Sequence, residues 1–368
     1  MNSNDVNTET EHEHTDPELT ESEDSLDEAE QIVDQEEVKP TGNIYDALQE
    51  EIMESDLPAN EKNKRLSMLL KASNRKVNLM LVGATGAGKS STINALFDMS
   101  VAAVGVGVDP ETKDIAKYEL SNLTIWDTPG LGDGIEADKQ HIEQIVRKLS
   151  ETGDDGNLLI DLVLVVLDAS SKDLAVSFDV INNTLIPCLG EGNEHRILIA
   201  LNQSDMAMKG RHWNHELNAP EETLTNFLLE KVESVKRRIY SATNVEVEPV
   251  YYCAGYTDGE EKQSPYNLTK LLFYILLAVP AEKRLALVDV LNKDEENWDS
   301  NDEDYMPLVK ESFLESLVSN VTGGAERGGI IGGCAIGIPG LIAGALIGGI
   351  VGALKTLIVR PALYLMKN

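Results

Sequence analysis

Apolar and polar positions change their spacing three times along the chain. From 43 to 74 the apolar residues fall at helical intervals, with Ile44, Leu48 and Ile52, then Leu66, Met68, Leu69 and Leu70. Leu57-Pro58 interrupts them, because a residue before proline is pushed out of the helical region, so two short helices are predicted. From 76 to 280 extended apolar runs alternate with helical segments, as in successive βαβ units. Strands are predicted at 77–82, 115–120, 123–126, 162–167, 197–201 and 248–252. LVLVVL at 162–167 and ILIAL at 197–201 are continuous apolar runs, the pattern of parallel strands covered on both faces. Helices are predicted at 90–98, 137–149, 173–186, 221–240 and 266–278. The fold class is α/β, with a doubly wound, mostly parallel six-stranded sheet and ligand sites outside the carboxyl ends of its strands.

Charge divides the chain differently. Its 368 residues carry a formal charge of -32, and residues 1–58 hold 20 acidic side chains against one basic, Lys39. Residues 1–40 combine this charge with no aromatic side chain and few large aliphatics, so too little apolar surface is present to offset ordering, and a disordered tail is predicted. The expected organisation continues with a helical extension at 41–75, an α/β domain at 76–282, an acidic linker and helix at 283–325, and a glycine-rich apolar segment at 326–368. No nucleic-acid partner is expected, because a groove for phosphates needs clustered Lys and Arg. Cys188, Cys253 and Cys334 are widely spaced and odd in number, which offers neither a disulfide framework nor a four-ligand zinc site. With no apolar stretch after Met1, a cytoplasmic setting is expected.

Directly after the first apolar strand stands Gly83-Ala84-Thr85-Gly86-Ala87-Gly88-Lys89-Ser90, followed by Ser91 and a helix-forming stretch. This is G-x-x-x-x-G-K-[ST] in its required setting between strand and helix. Backbone N–H groups turn inward on phosphate oxygens, Lys89 neutralises β and γ charge, and Ser90 offers a hydroxyl to Mg²⁺. Asp127, in Trp126-Asp127-Thr128-Pro129-Gly130, is placed to reach Mg²⁺ through water, and the Gly130 N–H to meet a γ-phosphate. In Asn202-Gln203-Ser204-Asp205, the Asp205 carboxylate can accept from guanine N1–H and the 2-amino group, a pairing that adenine lacks. Cys253-Ala254-Gly255 ends the last strand, where the Ala254 N–H can meet guanine O6.

With GATGAGKSS, WDTPG, NQSD and CAG in this order, the chain resembles the Era-like and septin-like P-loop GTPases, and most of all the prophage-borne GTP-binding proteins of the YfjP and YeeP type. The resemblance covers about 76–280. It implies a Ras-like G domain, GTP or GDP with Mg²⁺ as ligands, and GTP hydrolysis. Septin-like enzymes pair through their nucleotide faces, so it also implies a homodimer. Thr112, the only Thr between Thr92 and Thr124, is the expected switch contact to Mg²⁺ and the γ-phosphate. Lys89, Thr112 and Gly130 are therefore the expected catalytic group, and Ser90, Thr112 and Asp127 the expected metal group. KGRHWN at 209–214 also looks like that group, although a surface loop explains it equally well, and His212 with His215 is a poor metal pair.

Three positions depart from the pattern. Gln203 replaces the usual Lys, keeping the apolar stem without the charge. Gly86 stands where many potassium-stimulated Era-like enzymes carry Asn, which argues against a potassium-dependent mechanism. Leu131 stands where signalling GTPases carry a water-orienting Gln, so slow turnover is expected.

Residues 328–354 form an uncharged run of 27 residues containing ten glycines, with Pro339-Gly340 near its middle and Lys355, Arg360 and Lys367 beyond it. The run admits a spanning helix, a hairpin dipping into a membrane or onto a partner, or a hairpin packed on the rest of the chain. A spanning helix or a hairpin dipping into a membrane would attach the protein to the inner face of the membrane.

Overall fold

The computed structural model describes residues 44–99, 103–105, 115–132, 134–153, 156–190, 192–258, 261–298 and 305–322. The expected acidic tail at 1–40 and the glycine-rich segment at 326–368 lie outside them. The chain opens with α1 (Ile44–Glu54) and α2 (Ala59–Ser73), followed by β1 (Val77–Gly83), α3 (Lys89–Leu96), β2 (Ala103–Gly105), β3 (Ala116–Leu120), β4 (Leu123–Asp127) and α4 (Ile135–Leu149). After β5 (Leu162–Asp168), α5 (Ala175–Val180) passes through a π-helical turn, Ile181–Leu185, into α6 (Ile186–Leu189). Then come β6 (Ile197–Asn202), a hairpin of β7 (Trp213–Asn214) and β8 (Ala219–Pro220), α7 (Glu222–Thr243), β9 (Val250–Tyr251) and a second hairpin of β10 (Tyr256–Asp258) and β11 (Glu261–Gln263). The described chain ends with α8 (Leu268–Ala278), a 3₁₀ segment at Ala281–Val290 and α9 (Met306–Thr322).

The main sheet runs β2-β3-β4-β1-β5-β6-β9. β4, β1, β5, β6 and β9 run parallel to one another, whereas β3 pairs antiparallel with β4 and with β2. All six expected strands are present, and the three-residue β2 adds a seventh at the edge. Only Val250 and Tyr251 of the expected 248–252 strand join the sheet. Pro249 just before them has no N–H for a ladder bond. The helix expected to stop at 186 continues through Pro187 to Leu189, behind a π turn at the point where proline cannot supply an i−4 hydrogen bond.

Strand alternation sorts the core into two layers. Leu79, Leu81, Leu164, Val166, Leu198 and Ala200 face one cluster, which α1, α2, α3, α8, the 3₁₀ segment and α9 cover. Met80, Val82, Val163, Val165, Ile199 and Leu201 face the other, covered by α4, α5, α6 and α7. The apolar runs LVLVVL and ILIAL thus serve both layers.

The terminal helices are part of the first layer. Ile44, Leu48 and Ile52 of α1 are fully buried, worth about 2 kcal/mol each. Val309, Phe313 and Leu317 repeat that i, i+4 stripe on α9. Asp289 Oδ1 accepts the Ile44 N–H at 2.7 Å, which ties the start of α1 to the 3₁₀ segment. Burial raises the Asp289 carboxyl to about 6, with Asp46 adding to the rise and Lys293 opposing it. A carboxyl raised by folding contributes stability below its unfolded value near 3.8 that is lost as pH climbs through about 6. Asp289→Asn keeps an acceptor for Ile44 without the buried charge. The variant is expected to be the more stable by about 2 kcal/mol at pH 8 and close to wild type at pH 4, as read by denaturant melts at the two values.

Candidate nucleotide-binding site

The motifs converge because each ends a parallel strand on the same edge of the sheet: Gly83 on β1, Asp127 on β4, Asn202 on β6, and Cys253 just past β9. β1 lies between β4 and β5, where the strand order reverses, and this is where doubly wound sheets open a crevice.

The phosphate loop runs from Gly83 into α3, whose N-cap, Gly88, has φ +87°. A Cβ at Gly88 would lie 2.2 Å from Asn202 Nδ2, so conformation and space both demand glycine. Lys89 Nζ donates to the Gly83 and Ala84 carbonyls at 3.1 and 3.4 Å. Ala87 is buried, whereas Thr85, Gly86, Ser90 and Ser91 are exposed at the mouth. Two hydrogen bonds lace the loop to the end of WDTPG, from the Thr85 N–H to the Leu131 carbonyl (3.1 Å) and from the Leu131 N–H to the Gly83 carbonyl (3.2 Å). Thr128 turns inward, its hydroxyl donating to the Leu81 carbonyl at 2.7 Å.

Asp127 pairs with Leu81 across the β1–β4 ladder. Its Oδ1 is buried with no hydrogen-bond partner. Burial pushes the carboxyl upward and Lys89 pulls it down. A buried carboxylate oxygen without a donor, beside a lysine and a helix N-terminus, fits a hydrated Mg²⁺ ion, which would supply that oxygen with a water ligand's O–H. Thr112, the other expected metal contact, lies outside the described residues.

At the base end, Asn202 is buried and joins two motifs. Its Nδ2 donates to the Ala87 carbonyl of the phosphate loop at 3.0 Å, and its Oδ1 accepts the Ala254 N–H at 3.0 Å. This corrects the expectation for Ala254: its N–H, assigned to guanine O6, is engaged by Asn202, and Ala254 acts here by holding that side chain. Gln203, at φ +61°, reaches back to the loop with Nε2 donating to the Gly86 carbonyl at 2.7 Å. The amide thus braces the phosphate loop without the charge of the usual lysine. Asp205 is nearly buried beside the Cys253 thiol, which burial and this carboxylate together push well above its ordinary value.

Several supporting residues were missed in the sequence. Tyr252, one position before CAG, shares a 2.6 Å hydrogen bond with Thr92 of α3 beneath the phosphate loop. KGRHWN proves structural. Trp213 is buried edge-on against Tyr266 with ring centroids 5.3 Å apart, and Asn218 Nδ2 donates to the Ser264 and Pro265 carbonyls at 2.9 and 3.1 Å. Tyr266 in turn exchanges backbone hydrogen bonds with Cys253, so the segment props the loop that holds Ala254. His212 Nδ1 lies 3.0 Å from Glu221 Oε2. A Trp within a basic hexapeptide was the available signal.

A strand, a glycine-rich phosphate loop and a helix, with WDTPG, NQSD and CAG on adjoining strand ends, define a P-loop GTPase domain. Residues 78–203 match the 50S ribosome-binding GTPase family. Two proteins of Escherichia coli strain K12, the uncharacterized proteins YkfA and YfjP, are 27% and 28% identical over 157 residues, 42% of this chain. The chain spans about half the length of these curated relatives. Among solved structures, Toc33 from Arabidopsis thaliana in complex with Mg²⁺ and GMPPNP covers 59% of this chain and 85% of its own, at 18% identity and a TM-score of 0.34.

Proposed function

We propose that the protein is a Mg²⁺-dependent GTPase of low intrinsic turnover, with its G domain over 76–282, whose nucleotide state controls a membrane-linked or oligomeric assembly. The observation that carries the reading is the Asn202 clasp, which joins the phosphate loop to both base motifs and sets Asp205 beside them. In this reading Gly83 to Ser91 cradle the phosphates, with Lys89 countering their charge, and Gly130 meets the γ-phosphate. Asn202, Gln203, Cys253 and Ala254 shape the base pocket while Asp205 reads guanine. Ser90, Thr112 and a water held by Asp127 would hold Mg²⁺, which when bound screens charge on the β- and γ-phosphates. Low turnover follows from Leu131, whose side chain is buried and offers no hydrogen bond to a water.

Two exposed apolar side chains, Met206 just after NQSD and Tyr256 just after CAG, support pairing of two copies across the nucleotide face. Membrane attachment at the inner, cytoplasmic face rests on 326–368. Among the described residues no helix is long and apolar enough to cross a membrane.

Competition against a fluorescent GDP analogue tests the base assignment. GTP and GDP are expected to displace it at least about 100-fold better than ATP, in line with a site built on paired hydrogen bonds. Asp205→Asn should shift preference toward xanthine nucleotides, whose 2-oxo group accepts from the new amide. Equal competition by ATP and GTP would refute the assignment.

A further inference from the structure

Apart from Thr269, Lys270 and the Tyr274 hydroxyl, α8 is apolar all round. Leu268, Leu271, Leu272, Ile275 and Leu276 are buried in the first layer, yet the opposite side carries Phe273 and Leu277, where a surface helix places polar residues. Phe273 is half-buried and Leu277 is 49% exposed. α9 runs beside α8 in the same direction. Phe273 meets the ring of Tyr305 at the start of α9, with centroids 5.6 Å apart. Near the far end of α9, Glu315 Oε2 accepts from Arg284 Nη1 at 2.7 Å and Asn320 Nδ2 donates to the Glu282 carbonyl at 3.0 Å, both just past the end of α8. Leu308, one turn beyond the ring contact on α9, is 39% exposed, as Leu277 is one turn beyond it on α8. Phe273, Leu277 and Leu308 thus form an apolar strip along the seam of the two helices.

The chain itself supplies an occupant of matching chemistry. α9 ends at Thr322, and the uncharged run 328–354 begins a few residues further on. At a helical rise α9 is about 25 Å long and the run about 40 Å, so a run returning from this end is long enough to cover the strip. Its tether favours it over any partner free in solution. Glycines at 340, 344, 348 and 352 leave every fourth position without a side chain, which allows close approach to a ring such as Phe273. Charge marks the same limits, because Glu311 stands exposed one turn beyond Leu308 and the cations Arg327 and Lys355 bracket the run. We infer that the α8–α9 strip is the docking site of the run 328–354 of the same chain, which it shelters from water and withholds from lipid. The withholding from lipid rests on the membrane-attachment reading above.

Cys334 lies inside the run, so its alkylation by a maleimide, located by peptide mass spectrometry, reports whether the run is covered. Leu277→Glu combined with Leu308→Glu places charge on the strip at two exposed positions. In the full chain without lipid, this variant is expected to be alkylated at Cys334 at least about tenfold faster than wild type, with GDP affinity within about twofold and the thermal melt little changed. Leu277→Met combined with Leu308→Met keeps the strip apolar and is expected to protect Cys334 as the wild type does. Equal alkylation of wild type and the glutamate variant overturns the inference. Protection that fades on dilution assigns the strip to a second copy and overturns it as well. With phosphatidylcholine vesicles, which carry no net charge, the glutamate variant is expected to float at lower lipid concentration than wild type. Weaker flotation of the variant means that the strip itself meets lipid, and also overturns the inference. Faster alkylation of the variant with no flotation of either protein leaves the docking in place and sinks membrane attachment alone.

Discussion

Lys89→Ala is expected to lower affinity for GDP and GTP by at least about 100-fold, close to 3 kcal/mol, while the apo protein melts close to wild type. The ammonium of Lys89 is held on the Gly83 and Ala84 carbonyls at the head of α3, so it is placed by the loop and adds little to the fold. Its removal takes away the loop's only lysine or arginine. It also removes the charge that pulls the Asp127 carboxyl down against burial. Asp127 then drifts further toward its neutral form, a poorer acceptor for a metal-bound water, and the loss of affinity should deepen as pH falls. Titration of a fluorescent GDP analogue at pH 6 and pH 8, with a thermal melt of the apo protein, checks both halves. Unchanged affinity would remove the phosphate reading of this loop.

The parts of the fold readable from the sequence are those whose signal is local. LVLVVL and ILIAL announce parallel strands because both faces of each are buried, and the G-x-x-x-x-G-K-S run needs only its flanking strand and helix for context. The unread parts depend on contacts far apart in sequence. The two hairpins, β7–β8 and β10–β11, are too short for any periodicity. Asn218 on the Ser264 and Pro265 carbonyls and the Trp213–Tyr266 contact anchor the first, and Lys262 bonded to Asp294 and Glu296 anchors the second. The acidic stretch expected as a plain linker begins by capping α3. Asn292 donates to the Asn94 and Leu96 carbonyls and Asn297 to the Ala95 carbonyl, satisfying groups that a helix C-terminus leaves open. No helical or strand pattern in residues 292–298 signals a partner about two hundred positions away.

The site divides in the same manner. Residue types named the phosphate loop, Asp127 and Asp205, because their chemistry requires those groups at those strand ends. The cross-links among motifs were not legible. Gln203 looked like a weakened lysine until its amide was seen on the Gly86 carbonyl, and the Ala254 N–H looked free for a base until Asn202 was seen to accept it.

That cross-linking makes Asn202→Ala the substitution expected to harm both stability and binding. Both polar atoms of the buried side chain are used, Nδ2 on the Ala87 carbonyl and Oδ1 on the Ala254 N–H. Alanine orphans two backbone groups in a site closed to solvent, at about 1–3 kcal/mol each, so an apo destabilisation of about 2–4 kcal/mol is expected. Guanine affinity should fall as well, because the phosphate loop and the CAG loop are no longer held together. A double-mutant cycle with Gly88→Ala separates the clasp from general damage. The methyl group that Gly88→Ala introduces would fall 2.2 Å from Asn202 Nδ2, in a residue already at φ +87°. In the wild-type background Gly88→Ala therefore carries both a clash and backbone strain, whereas in the Asn202→Ala background only the strain remains. The two substitutions together are expected to cost at least about 1 kcal/mol less than their separate costs combined, as read from denaturant unfolding of the four proteins. Strict additivity would mean that Asn202 does not lie against Gly88 in solution, and the clasp joining phosphate and base recognition would be lost with it.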